Sequence, residues 1–117
     1  MAAAVGRGTV SAARQDPRGT VLAAWLEVEQ AINQLVQAKN LAPEFGRVER
    51  RPYTAMRLIQ QAQLVDPKYV TLFEDLRTLR NQAAHAAEFA APPDAVIRYA
   101  ELAKELADEL RRKAQAG

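Results

Sequence analysis

Four stretches of this chain carry apolar residues at spacings of three and four, each entered through a proline, and that pattern predicts helices packed on helices. Asp16-Pro17 opens the first stretch: an aspartate able to cap free N–H groups, then a proline whose fixed φ suits a first turn. Val21, Trp25, Val28, Ile32 and Leu35 follow as one stripe, with Glu27, Glu29, Gln30, Gln34 and Lys39 off it. This helix ends near Asn40. Pro52 opens a second helix of about three turns, marked by Ala55, Leu58, Ile59, Ala62 and Val65. Asp66-Pro67 repeats the cap-plus-proline signal, and Tyr69, Leu72, Phe73, Leu76, Leu79 and Ala83 form the apolar face of a third helix running to about Ala87. Glu88 to Pro93 breaks the pattern. Asp94 then lies near the start of a fourth helix, with Val96, Tyr99, Ala103, Leu106 and Leu110 at heptad-like spacing. Arg111, Arg112 and Lys113 sit in its last turn, where cations complement the helix dipole.

No segment shows strand-like alternation, so the expected fold is all-α: a four-helix, mostly antiparallel bundle. The 117 residues suit one domain. Residues 1–15 mix Ala, Gly, Ser and Arg without apolar periodicity and read as a flexible N-terminal tail with Arg7 and Arg14 solvated. The helical domain is expected over residues 16–113, with a flexible C-terminus at 114–117. Leu41 to Arg51 contains Pro43, Gly46 and mixed charges and reads as a loop. Hydrophobic residues make up 49% of the chain, but much of that share is alanine, which favours helix and buries little area. A thin bundle with close helix contacts follows.

The same inventory removes most catalytic chemistry. The chain has no cysteine and one histidine, which excludes disulfides and zinc sites built from several such ligands. There is no glycine-rich phosphate loop of the P-loop or dinucleotide type. No cofactor and no metal are therefore expected. A net charge of +2 does not by itself predict nucleic-acid binding. No apolar run approaches the roughly 20 residues that span a bilayer, so no membrane contact and a cytoplasmic location are expected of this chain.

His85 is the one side chain whose unperturbed pKa lies near neutrality. Arg80 precedes it by five positions, which on a helix is about 7.5 Å along the axis and a rotation of roughly 140°. Asn81 is four residues before His85 and shares its face, so it is placed to orient the imidazole. One helix does not readily bring the heads of Arg80 and His85 together. Two copies related by a two-fold axis can, with their third helices facing each other. Ala83, Ala84, Ala86 and Ala87 are small enough to permit that approach.

Leu76-Arg77-Thr78-Leu79-Arg80-Asn81-Gln82-Ala83-Ala84-His85 resembles the R-N-x-x-x-H segment of HEPN domains (higher eukaryotes and prokaryotes nucleotide-binding). The resemblance extends over Asp16 to Leu110, including the four-helix plan and the Pro-Asp start of the last helix, and is nearest to uncharacterised bacterial HEPN-like proteins. Many HEPN domains are metal-independent ribonucleases that act as homodimers, often as toxins or in antiviral defence, and for this chain an inhibitory partner protein is expected on that reading. The resemblance implies Arg80 and His85 as catalytic residues and Asn81 as a supporting polar group. It also implies a homodimer that cuts single-stranded RNA. The alternative is a non-catalytic HEPN-like module that binds a nucleotide or a protein, or serves dimerisation.

The chemistry suits those residues. RNA carries its own nucleophile, the 2′-hydroxyl, so a proton-transferring histidine and an arginine that stabilises charge on the phosphate oxygens suffice in principle. Arg47, Arg50, Arg51 and Arg57 form a basic cluster, diluted by Glu44 and Glu49, that is a candidate RNA contact. Trp25 and the tyrosines sit at core spacing and read as packing residues rather than base-stacking ones.

Overall fold

The structure is a computed structural model that describes residues 6–41 and 52–116. The described residues are all-helical, with five helices and no strand: α1 (Arg7–Gln15), α2 (Pro17–Ala38), α3 (Pro52–Gln61), α4 (Pro67–His85) and α5 (Pro93–Gln115). The four expected helices are present. α1 is a correction, because residues 7–15 had read as a flexible tail. Its anchor is small: Ala13 is fully buried and α1 lies against both α2 and α5. A single alanine contact is too faint a stripe to stand out from an Ala-rich background. Arg7 and Arg14 are exposed, as expected. At the other end α5 runs on to Gln115, past the anticipated limit at 113, and Lys39 donates a hydrogen bond to the Ala116 carbonyl.

The helix starts follow from local chemistry. Asp16 caps α2 by accepting a hydrogen bond from the Gly19 N–H at 3.0 Å, with Pro17 in the first turn. Asp66 does the same for α4 through the Lys68 N–H at 3.3 Å. α2 closes through Asn40 in the left-handed region at φ 52°, a conformation asparagine tolerates better than most residues, and Leu41 then donates to the Val36 carbonyl at 2.9 Å.

α2 is the hub. Its whole stripe of Val21, Trp25, Val28, Ile32 and Leu35 is buried, together with Ala31 and Val36. Phe73 of α4 meets Trp25 with ring centroids 5.3 Å apart, in the tilted geometry aromatic pairs favour. Val96, Tyr99, Ala103, Leu106 and Leu110 of α5 and Met56 and Ile59 of α3 complete the core.

One helix pair stands apart from the mostly antiparallel expectation. Arg111 of α5 donates to Gln34 and Glu27 of α2, and Lys39 at the end of α2 reaches Ala116 at the end of α5. At the opposite end, Arg18 of α2 reaches the segment that precedes α5. The most extensive helix pair, α2 with α5, therefore runs parallel. α4 runs against both, since its last residues meet the start of α2 while Leu76 meets Tyr99 of α5. α3 is antiparallel to α4, with Tyr53 beside Arg77.

Candidate functional site

The C-terminal half of α4 carries the residues of interest, and its core contacts fix where they point. Leu76 and Ala83 are buried on α4, one turn before and one turn after Arg80. Arg80 thus leaves the helix on its inward side, and its Nε is buried with no hydrogen-bond partner. Its Nη1 donates to Asn81 Oδ1 at 3.2 Å. None of the ion pairs among the described residues includes Arg80.

Tyr99 of α5 lines the same seam. Its hydroxyl donates to the Leu76 carbonyl at 3.0 Å, in a buried setting. Burial pushes the Tyr99 phenol well above its ordinary value, and the nearby Arg80 charge pulls it partly back. Arg80 is therefore a cation rooted in the α4–α5 seam, steered by one neutral amide and matched by no carboxylate among the described residues.

His85 is the last residue of α4 and is exposed. Ala86 takes an extended conformation at φ −70°, ψ 137°, which stops the helix. Asn81 bonds to Arg80 and makes no hydrogen bond to His85, so the expected orienting contact is replaced by one that holds the guanidinium. The helix alone does not join Arg80 and His85, in keeping with their separation of about 7.5 Å along the axis. Ala83 faces the protein's own core, so it offers nothing to a facing helix, whereas Ala84 is half-buried and Ala87 exposed.

Arg18 is a residue that sequence reasoning missed. Its Nη2 donates to the Ala86 carbonyl at 2.8 Å and to the Ala87 carbonyl at 3.3 Å, tying the end of α4 to the start of α2. The signal was available, because a cation in the first turn of a helix opposes the dipole and needs a compensating contact. Here that contact is the carbonyl-rich end of another helix. Arg57 lies exposed on α3, while Arg47, Arg50 and Arg51 lie outside the described residues.

A cavity of about 670 Å³ lies between α1, α2 and α5, walled largely by Gly8, Ala12, Gly19, Ala23, Ala103 and Ala107. It includes no residue of α4. Among the described residues no group of three or more potential metal ligands converges, and no helix is long and apolar enough to cross a membrane. Comparison of the chain with protein-family models, curated proteins and solved structures finds no match.

In chemical terms, the end of α4 presents an arginine with few acceptors among the described residues and an exposed imidazole on one helix. The guanidinium can hold two phosphate oxygens in its planar fork, and the imidazole is a group able to carry a proton to or from a substrate.

Proposed function

We propose that this chain is a HEPN-like, metal-independent endoribonuclease that acts on single-stranded RNA as a homodimer. The observation that carries the reading is Arg80: an arginine with a buried, unpartnered Nε, steered by Asn81 and paired with no described carboxylate. Burying part of a guanidinium without an acid is unfavourable for the fold alone, and such uncompensated groups concentrate where a ligand supplies the missing partner. A phosphate is the anion whose oxygens match the guanidinium fork.

In the dimer, two α4 helices meet end-on at the two-fold axis, and each His85 approaches the Arg80 of the other copy. One imidazole takes the proton of the 2′-hydroxyl as that oxygen attacks the adjacent phosphorus. A solvent water protonates the leaving 5′-oxygen on the opposite side, the imidazolium returns its proton to solvent, and the facing guanidinium stabilises the charge gathering on the phosphate. The products are a 2′,3′-cyclic phosphate and a free 5′-hydroxyl.

The test is cleavage of a fluorescent single-stranded RNA in EDTA by the wild type, Arg80→Ala and His85→Ala. Cleavage by the wild type alone supports the reading. Equal cleavage by all three, or none by the wild type, overturns it.

A further inference from the structure

Between α3 and α4 lies a second cleft, of about 310 Å³, with Tyr53, Arg57 and Gln60 on one wall and Phe73 and Glu74 on the other. Its size falls at the lower end of ordinary small-ligand sites. Tyr53 had read as a packing residue, yet its side chain is 41% exposed, whereas Trp25 and Tyr99 are 3% exposed. The Arg77 guanidinium lies 4.8 Å from the Tyr53 ring centroid, in cation–π range. Neither Arg57 nor Arg77 takes part in an ion pair among the described residues, although Glu74 stands on the same wall. An exposed ring backed by one guanidinium and flanked by another is the combination that single-stranded nucleic-acid sites use: a stacking platform with cations along the backbone.

Position adds to composition. Arg77 lies one turn before Arg80 on α4, so the cleft opens about 12 Å along the helix from His85. α3 ends its cover of α4 at Tyr53, and the flank beyond carries Arg80, Asn81 and His85.

We infer that the Tyr53 cleft is a docking site for single-stranded RNA, in which a base stacks on the Tyr53 ring while Arg57 and Arg77 hold the flanking phosphates. The inference rests on the ribonuclease reading for its choice of ligand. It assigns to α3 the task of setting which phosphate reaches the end of α4. Base stacking tolerates any base, so the site supplies affinity and register rather than sequence choice.

The experiment is fluorescence anisotropy with a short fluorescein-labelled 2′-O-methyl oligouridine, which binds as RNA but lacks the nucleophile. Wild type, Tyr53→Ala, Tyr53→Phe, Arg77→Ala and His85→Ala are compared, with circular dichroism confirming each fold. Tyr53→Ala is expected to weaken binding roughly 5- to 150-fold, the range for loss of one stacked base. Tyr53→Phe keeps wild-type affinity, because the ring is what matters. Arg77→Ala weakens binding and lowers the salt dependence by about one phosphate contact.

Unchanged affinity in Tyr53→Ala overturns the inference, as does a loss in Tyr53→Phe equal to that in Tyr53→Ala, or no binding by the wild type. Cleavage is read separately. Binding through Tyr53 without His85-dependent cleavage leaves this site standing and removes the nuclease. His85-dependent cleavage with binding indifferent to Tyr53 does the reverse.

Discussion

Replacing Arg80 with methionine separates a residue kept for a ligand from one kept for the fold. Methionine preserves the straight aliphatic stem and the helix propensity but removes the guanidinium. The change relieves a buried N–H that has no partner, a penalty of about 1–3 kcal/mol for a fully desolvated group. It also removes the part-buried hydrogen bond to Asn81, which contributes about 0.5–1.5 kcal/mol. Because Arg80 is only partly buried, the relief belongs at the lower end of its range. The two terms nearly cancel, leaving a net change within about 0.5 kcal/mol of zero. For 117 residues, 1 kcal/mol moves Tm by about 4 °C, so Arg80→Met is expected to melt within ~2 °C of the wild type. Thermal denaturation followed by circular dichroism reads this directly. A fall of more than about 4 °C would refute the reasoning, since it would make Arg80 a structural residue. Stability kept while anion binding is lost would mark a residue held for a ligand rather than for the fold.

Tyr99→Phe removes the hydroxyl that donates to the Leu76 carbonyl and is expected to cost about 1 kcal/mol, near 4 °C in Tm. Because folding raises the Tyr99 phenol above the unfolded value of about 10, its contribution is intact below that pH and falls by up to about 1.4 kcal/mol per unit above it. Alkaline denaturation should therefore begin later in Tyr99→Phe than its lower stability at neutral pH implies, and equal pH profiles would contradict this. Asp16→Ala loses the α2 cap and is expected to cost about 1 kcal/mol by urea denaturation. A Cβ on Gly19 would collide with the Asp16 carboxylate, so in a Gly19→Ala background the same substitution should cost less than half as much; additive costs would refute the coupling.

The helices were legible because their signals are local. Asp16-Pro17 and Asp66-Pro67 announce their own caps, and the stripe from Val21 to Leu35 is a single-helix property whose burial any bundle provides. α1 was not legible, because it is held by one buried alanine and contacts made from other helices. The direction of α5 relative to α2 was not legible either: it shows only in contacts between segments far apart in sequence, such as Arg111 with Gln34. At the site, the sequence singled out Arg80, Asn81 and His85 by type and spacing. What Asn81 bonds to depends on the inward exit of Arg80 between Leu76 and Ala83, which periodicity alone does not resolve. Arg18 and Tyr53 were passed over because each acquires its meaning from a partner far along the chain, Ala86 for one and Arg77 for the other.

The composite site makes the sharpest demand. An equimolar mixture of Arg80→Ala and His85→Ala chains, unfolded and refolded together, should cleave single-stranded RNA in EDTA although neither variant does alone. In the mixed dimer, the His85 of one chain meets the Arg80 of the other at one intact pairing. Restored cleavage is the predicted result. A mixture that forms dimers and stays inactive, beside a wild type that cleaves, would contradict a site shared between two copies of α4.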